Sequence, residues 1–338
     1  MLEGEPAAAA GGDLVELSRA DASAIDPAAR DAALRELGVE RGAWIASGTE
    51  AEVYGLTDER VLKLYPDPGR ACALEVLRRF YDSLRGEGLP FALPRIYDIT
   101  PVRGLLAVTE RRIEGKPLSE LLPALDAGDA LRARERYIDA AVALAELEAP
   151  HGVSRYLLID EPGTSSVRAQ GWYEFVYRLA EVKIERRRAS LEADVVDLPA
   201  KQARLRELYL GQRYDGPLRV VHGDFFPGNV LMSDAETVAG VVDFGSFTMF
   251  GDPLVDVSLA CMFFDMYGPE RSSVRDELIA VALRRVGADA EGTLYRYAMA
   301  YALMSCDLYA GADGLRQDGH YRWAVDLLNT EPYWQRMA

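Results

Sequence analysis

The chain has 338 residues, 49% of them hydrophobic, and a formal net charge of −16. That length and apolar content suit a globular protein of about two domains with ample core. The negative balance argues against a nucleic-acid partner, which needs a basic surface, and no run of roughly 18 apolar residues is present to cross a membrane.

Residues 1–12, rich in Ala, Gly, Glu and Pro, read as a disordered tail. Its acidic start lacks the basic and apolar stretches of a secretory signal. Cys72, Cys261 and Cys306 lie far apart without metal-ligand spacing, which points to reduced, mostly buried thiols in a cytoplasmic protein. A helix is expected over 27–37, with Pro27 at its start and Gly38 at its end. Strands follow at 42–47, 51–56 and 60–65, then a helix at 70–85 and strands at 93–100 and 104–110. Beyond residue 113 the pattern is mostly helical, with helices expected at 129–148, 171–192, 199–210, 255–267, 273–286, 293–311 and 319–329.

The most informative stretch is Val220-Val-His222-Gly-Asp224-Phe-Phe-Pro-Gly-Asn229-Val-Leu231, followed by Val241-Val-Asp243-Phe-Gly245. Three polar side chains, Asp224, Asn229 and Asp243, stand beside apolar runs of the kind that build short buried strands. A kinase catalytic lobe presents its chemistry in this way. One Asp takes the proton of the attacking hydroxyl, an Asn and a second Asp hold Mg²⁺, and the spacing is that of a strand–loop–strand. The chain departs from the protein-kinase pattern in having His-Gly-Asp and no Ala-Pro-Glu. With Gly251-Asp252-Pro253-Leu-Val-Asp256 downstream, it resembles the aminoglycoside phosphotransferase and choline kinase superfamily, most strongly over 218–262 and more loosely back to about residue 42.

The resemblance implies an α+β, bilobal protein-kinase-like fold. Residues 1–38 would be a tail and helix, 39–113 a small five-stranded antiparallel N-lobe over the nucleotide, and 114–338 a mainly helical C-lobe. Asp224 would be the catalytic base, and Asn229 and Asp243 the Mg²⁺ ligands. Lys63, in Val61-Leu-Lys63-Leu-Tyr65, would reach the phosphates of ATP or GTP and pair with Glu75 on the following helix; a solvent-facing edge-strand lysine is the alternative. Ser47, Gly48 and Thr49 would cover the nucleotide, unless they are a plain hairpin turn. Glu110, Arg111, Arg112 and Ile113 would form the purine-binding hinge, with the arginines turned outward. His222 is expected to hold the loop rather than shuttle protons, and Phe225 and Phe226 to be core. The last Asp of the downstream motif, Asp256, mostly braces the catalytic loop in that family.

Acceptor contacts are expected from Asp252, Asp265, Tyr267, Asp307, Trp172 and Tyr173, with Glu174 and Tyr309 as further candidates. Each has a bland alternative as core or solvated face, and Asp252 as a helix N-cap. Arg186, Arg187 and Arg188 are expected to be a solvated helix face. The reading that follows is transfer of a γ-phosphoryl group to a hydroxyl of a small molecule by a monomer or homodimer. An aminoglycoside-type antibiotic acceptor, which would make this a resistance enzyme, leads, because a net negative chain suits a cationic acceptor. The alternatives are a metabolic kinase for choline, homoserine or a sugar, a kinase of a nucleoside or peptide antibiotic, and, from another class, a nucleotide-binding pseudokinase regulator.

Overall fold

The structure, a computed structural model, describes residues 25–48, 50–84, 86, 88–150, 155–159, 167–268, 271–308 and 319–337. Strands β1 (Trp44–Ser47), β2 (Glu52–Gly55), β3 (Arg60–Tyr65), β4 (Ile96–Val102) and β5 (Leu105–Arg111) form one sheet in the order β1-β2-β3-β5-β4. Every pairing in it is antiparallel. Because side chains alternate along a strand, the two faces of this sheet have different fates. Leu62 and Leu64 of β3 and Leu105 and Ala107 of β5 bury against Ala33 and Leu34 of helix α1 (Pro27–Glu36). Tyr65, Leu106 and Val108, from the other face, join the main core together with helix α2 (Ala71–Ser83).

Local chemistry sets the ends of these helices. The Asp26 side chain accepts the Ala29 N–H at 2.8 Å and caps α1, a contact of about 1 kcal/mol. The chain leaves that helix through Gly38 at φ +68°, where a side chain would be strained. On α2 the buried residues Leu74, Leu77, Phe80 and Tyr81 recur at helical spacing and make one apolar stripe. The Phe80 and Tyr81 rings meet Phe244 at 5.7 and 6.0 Å, so aromatic packing seats α2 on the segment that carries Asp243.

After Arg111 the chain is mainly helical. It runs through β6 (Lys116–Pro117), α3 (Leu118–Leu121), α4 (Ala127–Leu144), α5 (Trp172–Asp194), α6 (Leu198–Leu210), β7 (Arg219–Val221), β8 (Val230–Met232), β9 (Val238–Val241) and β10 (Met249–Gly251). It closes with α7 (Leu254–Phe263), α8 (Arg271–Val286), α9 (Glu291–Met304), α10 (Gly319–Leu328) and α11 (Glu331–Arg336). β8 pairs with both β6 and β9, and β7 pairs with β10. Val255 through Phe263 of α7 and Leu294 through Met304 of α9 are buried all round, which makes these two helices the centre of the main core.

Three expectations about elements need adjusting. α9 ends at Met304 and not near 311, since Ser305 leaves helical geometry. The last helix, α11, follows a short break at Thr330 that apolar periodicity does not reveal. α5 is interrupted at Arg187, whose φ of −121° is not helical. Cys261 and Cys306 are buried, as expected of mostly buried thiols, and Cys72 is exposed on α2. Among the described residues no helix is long and apolar enough to cross a membrane.

Candidate active site

β7 and β8 are short and buried, and the loop between them holds His222, Asp224 and Asn229. Gly223 sits at φ +78°, and a Cβ there would lie 1.9 Å from the Phe247 carbonyl oxygen. Only glycine fits, which is the physical reason for Gly between His222 and Asp224. The Asp256 carboxylate, at the start of α7, accepts the backbone N–H groups of His222 at 2.6 Å and Gly223 at 2.9 Å. Burial pushes the Asp256 carboxyl up to about 7, against the lowering effect of those two N–H groups. The Tyr301 hydroxyl donates to the Gly223 carbonyl from α9. The Thr248 hydroxyl donates to the His222 carbonyl at 3.3 Å and accepts the Gly245 N–H at 2.9 Å. The loop is therefore tied from three other segments.

His222 is fully buried, with its ring 4.4 Å from that of Phe244. Nε2 donates to the Val242 carbonyl at 2.8 Å, and Nδ1 accepts the Asp224 N–H at 3.2 Å. Burial pulls its pKa down to about 4, so the ring is neutral near pH 7 and links the Asp224 and Asp243 segments as a strut.

Asp224 is partly buried, and its carboxyl is pushed up to about 6, first by burial and then by the Asp243 charge. The Asn229 side-chain amide donates to the Asp224 carbonyl at 2.9 Å and lies 3.4 Å from its carboxylate. That orients the Asn229 oxygen away from the Asp224 carbonyl. Asn229 and Asp243 are joined through the β8–β9 pair, with the Val242 N–H on the Asn229 carbonyl at 2.9 Å. Asp243 takes φ +63°, an uncommon left-handed conformation outside glycine. Its side chain is 55% exposed, and its carboxylate meets Lys63 Nζ at 2.7 Å. The ammonium holds the Asp243 carboxyl below the usual carboxylate range.

Lys63 faces the cleft because its neighbours Leu62 and Leu64 fill the opposite side of the sheet. Its second partner is Glu110 of β5, with Nζ to carboxylate 3.2 Å and Glu110 buried. Burial alone would lower the Lys63 pKa, but Asp243 and Glu110 outweigh it and hold the lysine well above its ordinary value. Burial raises the Glu110 carboxyl, opposed by Lys63.

The residues present fit a magnesium site. Asn229 and Asp243 offer hard oxygens just before β8 and just after β9, two paired strands, and the Asp243 carboxylate already engages an ammonium there. Mg²⁺ takes its remaining ligands from water and substrate phosphates, so two protein oxygens suffice. Among the described residues no group of three His, Cys, Asp or Glu side chains could hold a metal by itself. Chemically, the cleft combines a proton acceptor of pKa about 6, a cation able to meet phosphate, and a pair of metal-seeking oxygens.

The family model described as the phosphotransferase enzyme family matches residues 41–295, more than half of the chain. The chain belongs to this family. Among solved structures, it is similar to the ADP-bound aminoglycoside phosphotransferase APH(2'')-Ib, at 14% identity and TM-score 0.53, covering 90% of this chain and 99% of that one. It is also similar to the gentamicin complex of APH(2'')-IIa, at 13% identity and TM-score 0.54, covering 90% and 96%. A third is the GDP complex of wild-type aminoglycoside 2'-phosphotransferase-IIIa, at 16% identity and TM-score 0.55, covering 86% and 92%. Identities this low carry the fold, and the kinase-like bilobal architecture agrees with the five-stranded sheet and helical remainder seen here. A comparison with curated protein sequences finds no match.

Several residues expected at this phosphotransferase site lie elsewhere or are engaged otherwise. Glu75 does not meet Lys63. It grips Arg78 at 2.6 Å and Arg79 at 3.2 Å along its own helix, which lowers its carboxyl to about 2. Nearby arginines on the same face outcompete a lysine across the cleft. Glu110 turns its side chain to Lys63, so only its backbone could serve a hinge. The N–H groups of Arg111 and Arg112 are taken by the Arg95 and Glu59 carbonyls, each at 2.8 Å. Ile113 packs against Gly240 of β9, where a Cβ would come within 2.7 Å of it. Ser47 and Gly48 are exposed, with the Gly48 N–H on the Ala51 carbonyl at 2.9 Å, while Thr49 lies outside the described residues.

The acceptor-side expectations mostly fail on burial. Trp172 is 1% exposed and donates from Nε1 to the Tyr297 hydroxyl. Tyr173 is buried beneath Arg296, which donates to its hydroxyl at 2.7 Å. Asp252 is buried, accepting the Leu254 N–H at 3.0 Å and the Tyr297 hydroxyl at 2.8 Å, so it serves the start of α7. Asp307 is buried between Lys183 at 2.8 Å and Arg186 at 3.0 Å, which also takes Arg186 out of the expected solvated face. Glu174 accepts the Gln170 N–H at 2.7 Å at the start of α5. Tyr309 lies outside the described residues. Asp265 and Tyr267 remain, in the turn after α7 that begins at Phe264. Phe264 lies 5.3 Å from the Tyr137 ring, and Tyr137 in turn donates to the Phe225 carbonyl at 2.7 Å. Phe226, expected in the core, is 37% exposed on the catalytic loop, and a Cβ on Gly228 would strike its ring at 2.4 Å. Its signal in the sequence was the Pro-Gly that follows, which turns the chain before the strand resumes.

Proposed function

We propose that this phosphotransferase moves the γ-phosphoryl group of ATP or GTP onto a hydroxyl of a small molecule, with Mg²⁺. The observation that carries this reading is the convergence of Lys63, on β3, with Asp224, Asn229 and Asp243, from the loops around β8 and β9 that are far from it in sequence. In the reaction the acceptor oxygen forms a bond to the γ-phosphorus, the bond to the β-bridging oxygen breaks, and the nucleoside diphosphate leaves. Asp224 accepts the hydroxyl proton, and a carboxyl with a pKa of about 6 is ionised at neutral pH and still basic enough to do so. Lys63 aligns the phosphates by charge. Asn229 and Asp243 would hold the metal, which neutralises phosphate charge when bound. The buried loop fixes these groups before substrate arrives, so catalysis rests on positioning and charge stabilisation.

For the acceptor we favour a hydroxylated antibiotic of aminoglycoside type, in keeping with the gentamicin-bound neighbour and the −16 charge, and with a role in resistance. A second reading, a less cationic acceptor such as a sugar, choline, homoserine, or a nucleoside or peptide antibiotic, is favoured by two observations. Asp252 and Asp307 are engaged inside the protein, and Phe226 offers an exposed ring beside Asp224. A screen of hydroxylated antibiotics and metabolites with ATP and GTP, read as a mass gain of one phosphoryl group, tests the function; no transfer to any of them counts against it. The acceptor KM separates the two readings. For a polycation it rises with salt, because charges are screened beyond about 8 Å at physiological ionic strength. For a neutral acceptor it stays flat.

A further inference from the structure

We propose that Glu110, on strand β5, is the residue that positions Lys63 for the nucleotide, the task that the family resemblance assigns to a glutamate on helix α2. The inference rests on the nucleotide reading of Lys63 given above. Lys63 and Glu110 lie on neighbouring antiparallel strands, with Lys63 opposite Val108 and Glu110 two residues further on the same face. The ammonium-to-carboxylate distance is 3.2 Å, and the Glu110 side chain is 6% exposed against 18% for Lys63. Glu75, the only glutamate on α2, is committed to Arg78 and Arg79.

The geometry has a clear physical effect. Lys63 stands between two carboxylates, Asp243 at 2.7 Å and Glu110 at 3.2 Å. Without Glu110, the ammonium would be held by Asp243 alone of the two carboxylates. With it, the lysine has an anchor inside the sheet. The anchor belongs to the same rigid sheet as the lysine, so the alignment does not depend on where α2 sits. α2 is held separately, through Phe80 and Tyr81 on Phe244. Glu110 is thus a positioning residue acting through Lys63, and swinging α2 would not disarm the lysine.

Nucleotide binding by calorimetry, using whichever of ADP and GDP binds tighter with Mg²⁺, tests this without an acceptor. Glu110→Gln keeps the shape and removes the charge. Its Kd is expected to rise by roughly tenfold, the scale of one hydrogen bond to a charged group. Glu75→Gln is expected to stay within about twofold by the same reckoning, because its partners lie on its own helix. An unchanged or tighter Kd for Glu110→Gln overturns the proposal, and so does a loss in Glu75→Gln as large as that in Glu110→Gln. If Glu110→Gln does not fold, as judged by its melting curve, Glu110→Asp sets the carboxylate back by one methylene and is read in the same way. In a Lys63→Ala background the Glu110→Gln effect should vanish, since one acts through the other; additive losses overturn the proposal. Full nucleotide binding by Lys63→Ala alone would instead remove the reading of Lys63 on which the proposal stands.

Discussion

The loop from His222 to Asp243 and the helices α5 and α9 both carry polar residues set among apolar ones, yet they put them to different uses. In the loop the polar side chains are fastened by backbone groups and then left facing the cleft. Asp256 holds two N–H groups and His222 bridges two segments, while Asp224 and Asp243 keep part of their carboxylates accessible. In the helices the polar side chains are matched to one another inside the core. Lys183 and Arg186 of α5 close on Asp307, and Arg296 of α9 closes on Tyr173. The contrast teaches that an acid packed against the basic residues of a long helix, as Asp307 is against α5, serves as one half of a structural pair, whereas a short loop with several polar residues at fixed spacing gathers them on one side of the fold.

The largest effect is expected in the loop. Asp224→Asn retains size and removes proton acceptance, so turnover should fall by about 10²–10⁴-fold, with nucleotide Kd nearly unchanged by calorimetry. Turnover within about threefold of the parent would remove Asp224 from the role. Where α5 meets the turn after α9 the expected damage is to stability. Asp307→Asn leaves Lys183 and Arg186 without their buried carboxylate, and breaking such a pair costs about 3–5 kcal/mol. Chemical denaturation should show that loss while acceptor KM holds. A raised acceptor KM at unchanged stability would collapse the contrast between the two regions.

A pH profile sharpens the loop side. Asp224 must be ionised to take a proton, and its carboxyl stands at about 6. Below that value kcat/KM should fall about tenfold per pH unit, and it should level off above. The direction for folding is opposite. A carboxyl raised above its ordinary 3.8 binds protons more tightly in the folded protein, so Asp224 favours folding most at low pH and loses that contribution as pH rises through about 6. An acid limb centred near 4 would indicate an unperturbed base. The smallest effect is expected at Phe226. Removing one partly exposed ring contact, worth about 0.5–1.5 kcal/mol, should raise acceptor KM a few-fold in Phe226→Ala and leave nucleotide KM alone. A change confined to the nucleotide would place the ring on the wrong side of the cleft.

Much of the loop from His222 to Asn229 was readable in the linear chain because its contacts are local. His222, Asp224 and Asn229 lie within a few residues of one another, and the flanking valines can only be buried strand. The five strands and α2 were readable because alternation and helical periodicity are also local. The partner of Lys63 was misread although a signal existed. Leu106, Val108 and Glu110 alternate with Leu105 and Ala107, which places Glu110 on the Lys63 face of the sheet.

By itself the sequence determined the kind of chemistry this protein can do and the family it belongs to, since both depend on residue types at short, rigid spacing. Only the tertiary structure decided which charges meet. Whether an acid such as Glu75, Glu110, Asp252 or Asp307 faces the cleft or is neutralised depends on which cation or N–H lies nearest in space. Coulomb energy falls with distance and rises with burial, and neither quantity is written in the order of residues along the chain.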